Sequence, residues 1–162
     1  MKTCPKCQTT FDLDAKYCPK DGERLIRTQD DYIGKVFMEQ FEIREITGRG
    51  SMGTVYKARQ SGVGRDVAVK VLNRSLRQEP LLVQRFNREA RAAAQLSHPN
   101  IIVVYLVGET HDGVPLLAME FINGLSLATV CEAEWPFPPE RTIAITRQIA
   151  CALTEAHSHG IV

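Results

Sequence analysis

The 162-residue sequence lacks any long hydrophobic run: its longest strictly apolar stretch, Ile101 to Val107, is seven residues, far below the ~20 that a membrane-spanning helix needs. Charge of one sign is not in excess either. Twenty Lys and Arg face 19 Asp and Glu, for a formal net charge of +1, so no bulk attraction to nucleic acid or to an anionic membrane is expected. The polar start MKTCPKCQTT has no signal-peptide core, and neither internal repeats nor low-complexity tracts occur. What remains, 44% hydrophobic and 24% charged residues, is the composition of an ordinary globular protein, and the chain reads as cytoplasmic. A domain of usual size takes about 100 to 150 residues, so the length leaves room for one such domain and one small module.

Cysteine is scarce and unevenly placed. Of five, Cys4, Cys7 and Cys18 crowd the amino terminus while Cys131 and Cys151 stand alone. Cys4-Pro-Lys-Cys7 is a C-x2-C knuckle that points two thiolates at one spot, and Cys18-Pro-Lys-Asp21-Gly22 repeats its shape with a carboxylate in the fourth place. Two facing knuckles make a tetrahedral site, and zinc fits this donor set best; aspartate oxygen is acceptable to zinc but holds it less well than thiolate. A segment of about 25 residues cannot bury enough apolar surface to fold unaided, so a structural metal is expected, with Phe11 and Tyr17 as its small apolar patch. Reduced surface thiols, a disulfide and a redox C-x-x-C are the alternatives; no βαβ pattern surrounds the motif as the last would require. Residues 1–25 resemble the zinc-ribbon segments at the head of many bacterial proteins, departing from that pattern at Asp21, where cysteine is usual. Its basic residues Lys2, Lys6, Lys16, Lys20 and Arg24 are offset by Asp12, Asp14, Asp21 and Glu23, which argues against nucleic-acid binding. The polar stretch that follows has no periodicity, and residues 26–34 are read as a linker to a second domain over 35–162.

That domain begins with alternation from Phe41 to Ile46, broken by one slip, which predicts a half-buried strand. It runs into Thr47-Gly48-Arg49-Gly50-Ser51-Met52-Gly53-Thr54-Val55. Glycine suits a phosphate-binding loop because backbone N–H groups reach phosphate oxygens where no Cβ intervenes and φ is free. A dinucleotide-binding loop would open a helix, whereas here Val55 to Arg59 continues as a strand and turns at Ser61-Gly62-Val63-Gly64. The returning strand, Asp66 to Leu72, places Ala68 and Lys70 on one face and Val67, Val69 and Val71 on the other. Ala68 leaves room for a flat base, and Lys70 reaches phosphates beyond it.

G-x-G-x-x-G-x-V followed by V-A-V-K resembles the start of a eukaryotic-type serine/threonine protein kinase domain as found in bacteria. The likeness continues through a helix from Pro80 to Leu96 with apolar Leu82, Phe86, Ala90 and Ala93, ending at Ser97-His98-Pro99. Glu89 in Arg88-Glu89-Ala90 matches the family's glutamate on that helix, called αC. The resemblance implies an ion pair between Glu89 and Lys70 that holds the lysine on the α- and β-phosphates of ATP. Strands over Val103 to Glu109 and Val114 to Met119 complete the expected α+β fold, a five-stranded antiparallel small lobe with one helix. Met119-Glu120-Phe121-Ile122 resembles the gatekeeper and hinge, which implies adenine held by main chain at Glu120 and Ile122. Thr47 stands where the family usually has an aliphatic residue over the base.

A breaker, Trp135 to Pro139, precedes a last helix from Glu140 to His159 with Ile145, Ile149, Leu153 and Ala156 on one face. The sequence stops at Val162, where the family would enter its H-R-D catalytic loop. The expectation is therefore an incomplete domain, with the first helices of the large lobe only and without the catalytic base and magnesium ligands that the intact enzyme would use. His157 and His159 have no acid or metal ligand beside them and are not read as replacements. An exposed apolar face on the last helix is expected to favour aggregation or a partner. The leading reading is the ATP-binding part of a serine/threonine kinase acting on protein substrates, inactive on its own. The alternative is a non-catalytic nucleotide-sensing module whose zinc ribbon recruits a partner.

Overall fold

In the computed structural model residues 2–7, 9–11, 15–27, 32–73 and 76–161 are described, and the chain divides into two units, Met1–Ile33 and Gly34–Val162. The first holds a three-stranded antiparallel sheet of β1 (Lys2–Thr3), β2 (Thr10–Phe11) and β3 (Ile26–Arg27), in the order β2-β1-β3. Its two knuckles repeat one geometry. The N–H of Cys4 donates to the carbonyl of Thr9 at 3.0 Å and the N–H of Cys18 to that of Glu23 at 2.8 Å, five residues on in each case. The Thr3–Thr10 pairing of the first recurs as the Tyr17–Arg24 bridge of the second.

Two sequence expectations change here. Ile26–Arg27 is a strand paired with Lys2–Thr3, so the start of the expected linker belongs to the small unit; residues 28–31 of that linker lie outside the described residues, as do Asp12 and Asp14. Tyr17 is 63% exposed and Leu25 is buried. The apolar patch is therefore Cys4, Cys18 and Leu25 with Phe11 and Ala15 against them. Tyr17 lies on an isolated bridge to Arg24, outside the three strands, and Leu25 next to that bridge takes the inner place.

In the second unit β4 (Val36–Phe37), β5 (Phe41–Arg49), β6 (Gly53–Gln60), β7 (Arg65–Leu72), β8 (Val104–Glu109) and β9 (Pro115–Glu120) form an antiparallel sheet in the order β4-β5-β6-β7-β9-β8. It has six strands rather than five, because Val36–Phe37 pairs with Phe41–Glu42 across a tight turn. The slip in the Phe41–Ile46 pattern is a register shift: Ile43 faces Ala58 but Glu45 faces Lys57, leaving Arg44 as an extra residue. Val67, Val69 and Val71 are fully buried on the central strand β7, with Phe41, Ile43, Leu116 and Ala118 in the same core.

Helix α1 (Pro80–Ala93) starts with proline at its first turn, where the missing N–H costs nothing. It buries Phe86 and Ala90, one turn apart, and lies against β8 and β9. It stops at Ala93, three residues before the expected end. After β9, α2 (Leu127–Glu134) is capped by Ser126, whose hydroxyl accepts the N–H of Thr129 at 3.1 Å, and α3 (Pro139–Ser158) follows. The expected apolar face of α3 is open. Ile149 and Leu153 are about half exposed, and with Ile145, Ala156, Leu96, Ile101 and Leu127 they line a groove of about 670 Å³. Among the described residues no helix is long and apolar enough to cross a membrane.

Candidate functional site

The β5–β6 turn closes over strand β7. Gly48 pairs with Val55 and Arg49 with Thr54, and the N–H of Gly50 donates to the carbonyl of Gly53 at 2.8 Å. Residues 48–53 with Val55 and Lys70 line a cleft of about 390 Å³. The register explains why Lys70 is there. Directly opposed residues of an antiparallel pair share a face, and Val55 lies opposite Lys70, while Ala68 lies opposite Met119 and Lys70 opposite Leu117. Val55, Lys70, Ala68 and Met119 therefore sit together on one face of the sheet.

Not every expected residue reaches the cleft. Thr54 is buried, and its hydroxyl donates to Asn73 Oδ1 at 3.3 Å, so it packs behind the turn and not on the ligand side. The Thr47 hydroxyl donates to the carbonyl of Val55 at 3.2 Å across the hairpin. That bond satisfies the polar group which replaces the family's aliphatic residue. Ala68, Met119, Glu120 and Ile122 are not part of the cleft lining. The N–H of Glu120 is engaged by the carbonyl of Val103 at 2.8 Å, and Ile122 is 61% exposed.

The expected ion pair is not formed. Glu89 Oε1 accepts from Arg85 Nε at 2.8 Å, one turn earlier on α1. Lys70 Nζ lies instead 5.9 Å from the centroid of the Phe86 ring, within the range of a cation–π contact. An i, i+4 partner on the same helix lies within side-chain reach, and it is this partner that engages Glu89 here.

Asn73 was missed by sequence reasoning. Its Nδ2 donates to the carbonyls of Gly50 at 3.2 Å and Ser51 at 3.0 Å, and its backbone N–H donates to that of Met52 at 3.0 Å. Only its position just after a V-A-V-K-V-L strand could have hinted at this, because the partners lie more than 20 residues away.

In the small unit the knuckles bring together the sulfurs of Cys4, Cys7 and Cys18 and a carboxylate oxygen of Asp21, all within 4.8 Å of one another. Cys7 and Cys18 Sγ are 3.5 Å apart, and Cys4 Sγ is 3.3 Å from Asp21 Oδ1. Tetrahedral zinc with its usual bond lengths of about 2.3 Å to sulfur and 2.0 Å to oxygen requires edges of ~3.8 Å and ~3.5 Å, so these two edges are within a few tenths of an ångström of what the ion needs. The Glu23 N–H, donating to Asp21 Oδ1 at 3.1 Å, is the main cause that holds the carboxyl down at about 2, and so keeps it an anion. Burial is the main cause that pushes the Cys18 thiol up to about 11, whereas the Thr9 hydroxyl beside Cys7 lowers that thiol. All the cysteines are free thiols.

Residues 41–162 match the family model described as the protein kinase domain. The serine/threonine-protein kinase pkn3 of Myxococcus xanthus is 38% identical over 133 residues, covering 82% of this chain and 24% of that protein. The serine/threonine-protein kinase PknB of Mycolicibacterium smegmatis is 41% identical over 127 residues, 76% of this chain and 20% of its own length. Among solved structures, the PknI kinase domain of Mycobacterium tuberculosis superposes with a TM-score of 0.67 at 31% identity, covering 78% of this chain and 51% of that one. This chain thus spans a quarter or less of those two curated relatives and about half of that solved kinase domain. A match over residues 41–162, on a fold whose glycine turn closes over a strand that carries Lys70, means that the chain belongs to the protein kinase family and holds the small-lobe part of its domain.

Proposed function

We propose that the Gly34–Val162 unit binds ATP and that the protein to which it belongs transfers the γ-phosphoryl group to serine or threonine hydroxyls of protein substrates. The observation that carries this reading is Lys70 at the cleft closed by residues 48–53. Phosphoryl transfer is catalysed mainly by positioning and charge stabilisation. Lys70 supplies the fixed positive charge for the phosphates, backbone N–H groups of the turn supply donors, and Val55 and Ala68 flank the base. Glu120 and Ile122 offer main chain to its edge. Magnesium supplies charge neutralisation on the phosphates when bound. Glu89 is the residue that would lock Lys70 in place once released by Arg85.

Thermal unfolding with and without ATP tests the reading. ATP is expected to raise the Tm of the wild-type chain by mass action, and Lys70→Met to lose most of that rise. A charge-assisted contact contributes about 1.5–3 kcal/mol, so affinity falls about tenfold or more. No response to ATP in the wild type removes the proposal. The Arg85–Glu89 pair favours a second reading, a nucleotide-sensing module without transfer, because it leaves Lys70 without its carboxylate. Bound ATP with no labelled phosphate reaching protein would favour that one.

For the small unit we propose a structural zinc ion held by Cys4, Cys7, Cys18 and Asp21. The close approach of the four donors and their free thiols support it. Reduced cysteines in a metal set suit a reducing compartment, in keeping with a cytoplasmic protein. The exposed ribbon surface and the open face of α3 are where a protein partner would dock.

A further inference from the structure

Beyond the motif, the glycine turn is held by a residue from the far end of strand β7. Three successive carbonyls, those of Gly50, Ser51 and Met52, all point at Asn73: two accept from its side-chain amide at 3.2 and 3.0 Å, and the third from its backbone N–H at 3.0 Å. The orientation of that amide is itself determined. The carbonyls of Gly50 and Ser51 can only accept, so its Nδ2 must face the turn and its Oδ1 takes the hydroxyl proton of Thr54, which is 5% exposed.

In a trans peptide the C=O of one residue and the N–H of the next point to opposite sides, and the only cis bond among the described residues is Trp135–Pro136. Carbonyls of Gly50 and Ser51 drawn to Asn73 therefore turn the N–H groups of Ser51 and Met52 away from it. Neither of these N–H groups donates to another described residue. Residues 48–53 line the cleft with Lys70, and Asn73 does not. A carbonyl held in this way is also kept from rotating onto an anionic phosphate, where it would repel.

We infer that Asn73 is a positioning residue that clamps the glycine turn from behind, so that the N–H groups of Ser51 and Met52 face the phosphates of a bound nucleotide. The inference deepens the ATP-binding reading and rests on it. Adenosine lacks the groups that the clamp serves, and it separates a positioning role from a merely structural one.

The test titrates the purified chain with magnesium-ATP and with adenosine, for wild type, Asn73→Leu and Asn73→Ala, with the Tm of each. Leucine keeps the volume without donor or acceptor, and alanine covers the case that leucine does not fit. The ATP Kd is expected to rise about tenfold, a change of about 1.4 kcal/mol, as the loss of one or two neutral hydrogen bonds implies. The adenosine Kd should stay within about twofold. Equal weakening of both ligands, or an unchanged ATP Kd in folded variants, overturns the clamp and leaves ATP binding standing. A wild-type chain that binds neither ligand overturns the ATP reading and the clamp with it. Amide spectra of the wild type give a check independent of any variant: the Ser51 and Met52 N–H signals should move with ATP and stay with adenosine, and signals that ignore ATP overturn the inference.

Discussion

Gly53 is required for space and not for rotation. A Cβ built on it would lie 2.5 Å from the carbonyl oxygen of Val71 and 3.3 Å from its carbon, rigid backbone that cannot swing aside, whereas a Cβ on Gly48 would meet nothing within 4 Å. None of Gly48, Gly50 and Gly53 has a positive φ, so the conformational freedom expected of this loop is not what selects glycine here. Overpacking of this kind costs about 1–3 kcal/mol. Gly53→Ala should lower the unfolding free energy measured in urea by that amount, and Gly48→Ala should leave it nearly unchanged; equal losses would contradict the close approach. Lys70 was legible because the motif and period-two alternation both place it. Thr54 and Asn73 were not, since only the folded hairpin shows that one side chain packs behind the turn and that the other reaches three carbonyls far away in sequence. Leu25 fills the patch where Tyr17 was expected, the ordinary outcome for the more apolar of the two side chains.

At the scale of elements, the paired strands were readable from alternation, whereas the register shift between Ile43 and Glu45 shows only in the ladder and explains the one slip in that pattern. The short strands β3 and β4 were not readable, because two residues give no period. The Glu89 partner was not readable either, as a sequence pattern fixes which side of a helix a residue takes but not how close that helix lies to the sheet. The β6–β7 hairpin carries a consequence of register that can be measured. Arg59 lies directly opposite Asp66 and donates to it at 3.0 Å, with Lys57 Nζ 3.4 Å from the same carboxylate. The Arg59 hydrogen bond is the main cause that holds Asp66 below its ordinary value of 3.8, with Lys57 adding to it. A folded-state pKa that is depressed gives stability that is present above the unfolded value and lost as pH falls through the folded one. Asp66→Asn should therefore unfold at a lower temperature than wild type at pH 7, and the gap should close as pH drops below 3.8. Melts showing a gap that is the same at both ends of that range would mean the carboxylate contributes nothing through its charge.

At the scale of the whole molecule the two units differ in what can hold them together. The Gly34–Val162 unit has a continuous core built on β7 and α1, with side chains such as Phe41, Val69 and Phe86 at 3% exposure or less. Among its described residues the Met1–Ile33 unit has a core cluster of Cys4, Cys18 and Leu25, with Phe11 and Ala15 beside them, and three two-residue strands. Burial on that scale is well short of the conformational entropy of about 1–2 kcal/mol for each residue ordered. Two of the five core members are themselves proposed ligands, so a metal would join the strands and the core at one point. Structural zinc contributes about 10 kcal/mol or more in modules of this size, enough to make folding and binding one event. One zinc per chain is expected in protein purified without added metal. A strong chelator should collapse the amide signals of residues 1–33 to unfolded positions, and re-added zinc should restore them. Cys18→Ser should lose the metal, while Asp21→Asn should weaken its retention less, because three thiolates remain and water can fill the fourth place. Amide signals of the small unit that stay dispersed after the chelator has removed every metal ion would show that the hydrogen bonds of its two knuckles suffice, and that the cysteine cluster serves some other end.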